Sequence, residues 1–311
     1  MNALRLLGLG LIVVLAAPAA HAPAVVARSA ADCSITSTGL VPLTDLTGKR
    51  TYRGHRGGLY PGGLNRPPRA YLDLGLAAAK RVRPINGRVV LLSIGMSNAT
   101  QEFSPFIRLA EQEPDLSPNI KLVDGAMSAW DAKRIARPEA GYWRAVDRRL
   151  LAAGANPREV QAVWLKTAIS GEDRFFPADA RALHGQLRTI AALLPKRFPN
   201  LRLIYVSSRT YAGYAITPVN PEPAAYHSGF AVRWLVQDRI QGRLRGPWIG
   251  WGPYLWTDGE SGRADGLTWI CEDVRRDGMH PSAAGAGKIA RLLLRFFKTD
   301  PTSKGWFAPT S

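Results

Sequence analysis

Two fragments that lie far apart in this 311-residue chain carry the residue types of one catalytic serine site. Ser97 directly follows an apolar run at residues 91–95, and Asp277-Gly-Met-His280-Pro281 lies near the C-terminus. A serine held rigidly at a sheet edge can attack an acyl carbon, a histidine can take its proton, and an acid can orient that histidine. We therefore predict Ser97 as the nucleophile, His280 as the base and Asp277 as the orienting acid.

Each of these residues also has a purely structural interpretation. Ser97 could simply end a strand, and Asp277 could cap a loop before a helix. Of the other histidines, His21 lies in the predicted leader segment, and His55, His184 and His227 have no acid in a comparable loop before a helix. The pairing of Asp277 with His280 is what favours catalysis.

The elements that would position these residues alternate along the chain from residue 72 onward. The long helix shows the pattern best, because Leu183, Leu187, Ile190 and Leu194 recur on one face. Strands are predicted at 88–94, 120–123, 160–165 and 201–206, and helices at 72–82, 103–111, 126–135, 142–152, 178–194 and after Ser282.

This alternation predicts an α/β fold, a three-layer α/β/α sandwich with a mostly parallel central sheet. In such folds the ligand site lies beyond the C-terminal ends of the strands. Ser97, Gly125, Lys166 and Ser207 each follow a predicted strand, so we expect all four to line that edge.

A serine after the first core strand, a glycine after the second and Asp-x-x-His before the final helix form an arrangement that resembles the SGNH (GDSL-type) hydrolase family. The resemblance covers about residue 87 to the last helix. It implies a flavodoxin-like SGNH hydrolase fold, no cofactor, and ester hydrolysis by Ser97, His280 and Asp277. It further implies that the N–H groups of Ser97 and Gly125 hold the oxyanion.

The chain departs from the family pattern at two places. Lys166-Thr167-Ala168-Ile169 stands where the family has Gly-x-Asn-Asp, and Met96 and Asn98 replace the expected Asp and Leu around Ser97. Asn98, Lys166 or Thr167 could supply the missing oxyanion donor, whose loss would cost about a hundredfold or more in rate. The departures indicate a divergent branch and leave a catalytically impaired relative as the alternative.

Aromatic residues in two segments suggest a carbohydrate substrate. Trp251 and Trp256 lie in a glycine-rich stretch, Tyr211 follows the strand at 201–206, and Arg209 could meet an acidic group. Flat rings suit sugars, although core packing explains such residues more often. We predict an ester substrate such as an O-acetylated or acidic glycan, and the alternative is a binding protein for an anionic glycan.

The sequence gives no sign of metal chemistry. It contains no His-Glu-x-x-His and no Cys-x-x-Cys, and the spacing of Asp258, Glu260 and Asp265 differs from that of a calcium loop. We therefore predict that the protein requires no metal.

The N-terminal residues have the pattern of a secretory signal peptide. Arg5 precedes an apolar stretch at residues 6–17, and Ala22-Pro23-Ala24 is a small-x-small cleavage site. We predict a signal peptide at 1–24 and a secreted or periplasmic mature chain that contains no membrane span.

The rest of the chain divides into three parts. Residues 25–68 are predicted as an extended arm, 69–300 as the hydrolase-like domain and 301–311 as a C-terminal tail. Cys33 and Cys271 could form a disulfide in an oxidising compartment, and the sequence does not decide whether they meet.

The formal net charge of +17 would suit acidic glycans, anionic membrane surfaces or nucleic acid. Because the basic residues are scattered along the chain, a solvated cationic surface is the favoured interpretation. We predict no nucleic-acid partner, and the sequence leaves the oligomeric state open.

Overall fold

The computed structural model describes residues 30–171 and 175–309, so the predicted signal peptide at 1–24 lies outside the described residues. Within the described ranges no helix is both long and apolar enough to cross a bilayer. The strands are β1 (Thr51–Tyr52), β2 (His55–Arg56), β3 (Val89–Gly95), β4 (Ile120–Asp124), β5 (Val160–Lys166), β6 (Leu203–Val206) and β7 (Trp248–Trp251). The α-helices are α1 (Arg69–Ala79), α2 (Ser97–Ala110), α3 (Ala132–Ile135), α4 (Gly141–Ala152), α5 (Ala178–Arg197), α6 (Ala224–Ile240), α7 (Ala283–Thr299) and α8 (Lys304–Phe307).

The central sheet has five parallel strands in the order β4-β3-β5-β6-β7. All seven residues of β3 and of β5 are buried, as expected for strands covered on both faces. The order in which the chain adds strands to the sheet reverses at β3, because β4 lies on one side of β3 and β5 lies on the other. Open α/β sheets bind ligands at such a switch point, beyond the strand C-termini.

Helices cover both faces of the sheet. On one face α2 packs against α7, where Phe106 contacts Phe297, and α1 stacks Tyr71 on Trp248 of β7. On the other face α5 packs against α6 and α4 lies against β4. The predicted three-layer α/β/α sandwich is confirmed.

Several elements differ from the sequence prediction. Helix α2 begins at Ser97, six residues earlier than predicted, and residues 126–131 form a loop before the four-residue α3. Helix α6 and strand β7 were not predicted. Twelve of the 17 residues of α6 are buried, so the helix lacks the apolar and polar faces that reveal a surface helix.

Both ends of the described chain are tied to the domain. Ser37, Thr38 and Gly39 of the N-terminal arm donate hydrogen bonds to the Asp258 carboxylate, which is therefore a structural anchor for the arm. The segment predicted as a C-terminal tail contributes to the core, because Trp306 and Phe307 are buried against Phe297.

Candidate active site

Ser97, His280 and Asp277 form one hydrogen-bonded chain in the folded protein. The Ser97 Oγ lies 2.8 Å from His280 Nε2, and His280 Nδ1 lies 2.6 Å from Asp277 Oδ2. The 183 residues between the serine and the histidine are thus folded so that both reach the same edge of the sheet. This is the geometry in which the imidazole can take the serine proton while the carboxylate fixes its orientation.

A closed loop holds the acid and the histidine together. The N–H of Arg275 donates to the His280 carbonyl at 2.8 Å, and Val274 and Pro281 form an isolated bridge. Gly278 has a φ of 68°, which favours glycine, and a Cβ there would collide with the Tyr214 carbonyl. The first turn of α7 follows directly, capped by Ser282.

Asp277 is held in its ionised form. Partial burial disfavours the charge, but the N–H groups of His280 and Met279 and the imidazole of His280 outweigh it, so the pKa of Asp277 lies below its usual value. Its Oδ1 accepts the two N–H groups at 2.9 and 3.0 Å. Only Oδ2 is therefore committed to the imidazole.

Ser97 is the first residue of α2, where the helix leaves β3. Gly95 permits this sharp exit, because a Cβ on it would collide with the Lys166 carbonyl of the neighbouring strand. The preceding residue, Met96, makes no side-chain cap. Within the described part of the chain the N–H groups of Ser97 and Asn98 find no acceptor, so they are available to an anion at the helix N-terminus.

Asn98 does not supply the side-chain donor that the sequence suggested. Its Nδ2 donates to the Met279 carbonyl at 3.0 Å, and the residue is 3% exposed. The amide thus ties α2 to the loop that carries Asp277 and His280. Asn98 is a positioning residue for that loop.

Gly125 is also placed differently from the expectation. Its N–H donates to Ser93 Oγ at 3.1 Å, and the residue does not line the pocket around Ser97. A Cβ at Gly125 would approach the Ser93 carbonyl oxygen to 2.6 Å. Close packing of β4 against β3 therefore explains this glycine.

Ala129, which lies four residues after Gly125 in the same loop, lines the pocket instead of Gly125. It has a φ of 64°, unusual for a residue with a side chain, and Arg134 Nη1 donates to its carbonyl at 2.7 Å. Among the residues with described positions, none accepts the Ala129 N–H. Sequence reasoning missed this residue, and the only signal was its place after β4.

The pocket over Ser97 has a volume of about 520 Å³, within the range of small-molecule sites. Its wall combines one aromatic ring, several polar groups and an apolar side chain, none of which the sequence indicated. These further lining residues are Trp130, Asp131, Arg134, Ser170, Thr217 and Val219.

Lys166, Thr167 and Arg209 lie beneath this surface instead of at it. All three are at most 5% exposed and none lines the pocket, which corrects their assignment as substrate contacts. Lys166 is paired with the buried Glu102 of α2. Burial lowers the pKa of Lys166 and raises that of Glu102, in each case against the attraction of its partner.

The aromatic residues proposed for sugar contact are core residues. The Tyr211 hydroxyl donates to the Ile35 carbonyl, Trp251 Nε1 to the Leu59 carbonyl and Trp256 Nε1 to Glu222. Each ring is buried with its polar atom satisfied, so none is free to stack on a substrate. Ser207 is likewise buried, where it accepts the indole N–H of Trp164.

A second histidine has carboxylate and hydroxyl partners outside the Ser97 pocket. His227 pairs with Asp179 through Nδ1 and meets the Tyr52 hydroxyl at 2.8 Å through Nε2. Among the described residues, His227 has no serine or threonine partner that could act as a nucleophile. The hydrogen bonds that run from Asp179 through His227 to Tyr52 instead join α5, α6 and β1. No group of three or more His, Cys, Asp or Glu side chains suited to a metal occurs in the described ranges.

Cys33 and Cys271 are joined by a disulfide, with their Cα atoms 5.6 Å apart. The bridge attaches the N-terminal arm six residues before Asp277. It therefore restrains the start of the loop that carries the acid and the histidine.

Comparison with known proteins yields similarity only among solved structures. No family model matches the chain, and no curated protein matches it. A gut microbial diltiazem-metabolizing enzyme shares 14% identity at a TM-score of 0.40 over 70% of this chain and 48% of its own. A salicylyl-acyltransferase from a tetracycline biosynthetic pathway shares 14% identity at a TM-score of 0.40 over 69% of this chain and 56% of its own. This chain thus spans about half the length of both proteins, and similarity at this level assigns it neither a family nor a substrate.

Proposed function

We propose that this protein is a serine esterase of the SGNH type, and the observation that carries the proposal is the chain of hydrogen bonds from Ser97 through His280 to Asp277. A purely structural serine needs no histidine, and a binding surface needs no such relay. The relay opens onto a pocket of a size that suits an ester substrate.

In the first step the Ser97 Oγ attacks the ester carbonyl carbon while His280 Nε2 takes the hydroxyl proton. The carbonyl π electrons move to oxygen and form a tetrahedral oxyanion. When this collapses, the bond to the alcohol oxygen breaks and His280 returns its proton to the leaving alcohol. An acyl group is then attached to Ser97.

In the second step water attacks the acyl carbon and His280 takes one of its protons. Collapse breaks the bond to Ser97 Oγ, which recovers a proton from His280 and releases the carboxylic acid. Asp277 keeps the imidazole oriented and stabilises its charged form in both steps.

The oxyanion is held by backbone donors. The free N–H groups of Ser97 and Asn98 lie at the N-terminus of α2, whose dipole also favours negative charge. The N–H of Ala129 is the further donor that the pocket offers, since Gly125 and the Asn98 side chain are otherwise engaged.

As the substrate we propose an O-acetyl group on a carbohydrate. Trp130 supplies a flat ring at the pocket, and Asp131, Arg134 and Ser170 place polar groups around it. Such a wall suits the hydroxyls of a sugar better than a long acyl chain. Export into a secreted or periplasmic space, with the disulfide formed there, is part of the same proposal.

The proposal is tested by hydrolysis of p-nitrophenyl acetate by the mature protein. Ser97→Ala and His280→Ala should each abolish turnover, because the nucleophile or its base is removed. Ser170→Ala is the matched control, a serine in the same pocket outside the relay, and it should remain active because p-nitrophenyl acetate carries no sugar for Ser170 to contact. Turnover that survives both relay substitutions would contradict the mechanism.

The second candidate function is a catalytically impaired relative that binds an anionic glycan. The engagement of Gly125 and Asn98 elsewhere favours it, because two expected oxyanion donors are absent from the pocket. Retention of an acidic polysaccharide that is unchanged in Ser97→Ala, with no hydrolysis by the wild type, would select this function.

A further inference from the structure

A recess lined by α5, α6 and the β1–β2 hairpin has an unusual concentration of positively charged side chains. It has a volume of about 720 Å³ and lies between the β1–β2 hairpin and the two helices. It shares no lining residue with the pocket over Ser97. Arg56 of the hairpin, Arg181 of α5 and Arg233 of α6 all line it.

These three arginines have no ionic partner among the residues that the structure describes. Across residues 30–171 and 175–309, none of them forms an ion pair or a side-chain hydrogen bond. Most surface arginines can rely on water instead, but Arg233 is only 7% exposed and its Nε is fully buried with no acceptor. A buried cation without a partner is costly, so its environment suits an anion.

Among the residues that the structure describes, Asp238 is the only carboxylate that lines the recess, and it is already neutralised. Asp238 pairs with Arg188, Arg243 and His184, and it therefore has little capacity to balance Arg233. Burial and the proximity of Arg56 hold the pKa of Arg233 below its usual value. Burial, Arg181 and Arg233 lower the pKa of His55 in the same recess. In both cases burial is the larger cause, and the neighbouring arginines act in the same direction.

We propose that this recess binds a phosphate or sulfate monoester. Three guanidinium groups from three separate elements can each bond a different oxygen of one tetrahedral oxyanion. The volume exceeds that of a bare ion and leaves room for the group that carries it. Trp234, whose ring centroid lies 5.5 Å from that of His55, provides a flat side wall for that group.

The binding test is titration calorimetry of the mature protein with glucose 6-phosphate at low ionic strength. Arg233→Gln and Arg181→Gln should each weaken binding about tenfold or more, because each removes a charge-assisted hydrogen bond. The matched control is Arg66→Gln, an exposed arginine outside the recess whose replacement changes the net charge equally. It should bind like the wild type.

Two further arms distinguish the source of the monoester. Vesicles that contain phosphatidic acid replace the sugar phosphate with a lipid headgroup, and inorganic phosphate tests the bare anion. Binding of either ester that depends on Arg233 and Arg181 supports the proposal and identifies the carrier. No binding of any probe, or binding lost equally in Arg66→Gln, would overturn it.

Thermal unfolding guards against a misfolded variant. Arg233→Gln removes an unpaired buried charge, so its melting temperature should equal or exceed that of the wild type. Phosphate should raise the melting temperature of the wild type and of Arg66→Gln more than that of Arg233→Gln. If Arg233→Gln does not fold, the exposed Arg181→Gln carries the test, and an undiminished phosphate effect in that variant would contradict the proposal.

Discussion

Asp277 divides its two oxygens between backbone and imidazole. Oδ1 accepts the N–H groups of Met279 and His280, whereas Oδ2 faces His280 Nδ1. One carboxylate thus shapes its own loop and orients the base. The two roles can be separated, because an asparagine at position 277 can still accept the backbone N–H groups but has no charge to orient the imidazole.

Asp277→Asn should reduce kcat by about a thousandfold or more, because a neutral amide no longer holds the productive imidazole tautomer or stabilises its charged form. Steady-state hydrolysis of p-nitrophenyl acetate measures the effect. Asp131→Asn changes a carboxylate in the same pocket outside the relay, and it should stay close to wild type because p-nitrophenyl acetate carries no sugar for Asp131 to contact. Full activity in Asp277→Asn would exclude the orienting role.

The same substitution predicts a pH-dependent difference in stability. The folded-state pKa of Asp277 is lowered, so its charge stabilises the fold above the usual value of 3.8, and this contribution is lost as pH falls through the folded pKa. The stability lost in Asp277→Asn should therefore be largest near neutrality and shrink below about pH 4. Urea unfolding at a series of pH values measures it, and a difference that grows on acidification would contradict the assignment.

Ala129 is a test of the proposed oxyanion geometry. Glycine adopts its φ of 64° without strain, so Ala129→Gly should retain activity. Valine is a poor fit to that conformation and should displace the loop, lowering kcat by up to about a hundredfold. Equal kinetics in Ala129→Val and Ala129→Gly, with both folded, would remove Ala129 from the oxyanion site.

Ser97, Asp277 and His280 could be selected from the sequence because their spacing and order identify them. Gly125 and Asn98 could not be judged in the same way. Whether a backbone N–H or a side-chain amide faces the pocket depends on contacts with Ser93 and Met279, which are distant in sequence. Sequence position alone could place Gly125 after the strand predicted at 120–123 and Asn98 next to Ser97.

Among the elements, α2 and β5 are joined by a buried ion pair beneath the site. Glu102 and Lys166 are both essentially inaccessible and pair with each other. Desolvation of two charges offsets much of their attraction, so the pair contributes little net stability although each member depends on the other.

Glu102→Met and Lys166→Met should each destabilise the protein by about 3–5 kcal/mol, because each removes one partner of the buried ion pair. The double substitution should recover most or all of the loss, since both charges are gone. Chemical denaturation of the four proteins gives the cycle. Additive losses in the double variant would show that the residues act independently.

Periodicity found strands β3 to β6 and the long amphipathic helices but not α6. The side chains of α6 are buried on most sides, so no 3.6-residue contrast marks it. The aromatic stretch around Trp248 and Trp251, for which the sequence leaves both core packing and substrate contact open, forms the buried strand β7. Composition could not separate these outcomes, because tryptophan serves both in cores and at sugar sites.

For the whole molecule, the disulfide joins the arm to the segment that leads into the Asp277–His280 loop, across 238 residues of sequence. The sequence predicts an extended N-terminal arm that wraps the domain and a C-terminal tail. Asp258 anchors the arm, and residues 302–303 and 306–308 of the predicted tail are buried. Long-range contacts of this kind leave no local pattern in the sequence.

Replacing both cysteines by serine should lower the free energy of unfolding by about 2–5 kcal/mol, because a long loop in the unfolded chain is no longer closed. Denaturation of the variant against the oxidised wild type measures the difference. As a control, dithiothreitol should lower the stability of the wild type and leave the variant unchanged. Equal stability of oxidised protein and variant would contradict a stabilising bridge.

The most direct measurement is covalent labelling of the mature protein with diisopropyl fluorophosphate, followed by peptide mass spectrometry. We predict one adduct per chain, on Ser97, and no adduct in His280→Ala, because the serine reacts only when its proton is taken. Ser170→Ala should label like the wild type. No adduct on Ser97 in the folded wild type, or equal labelling in His280→Ala, would contradict the claim that these residues form a catalytic relay.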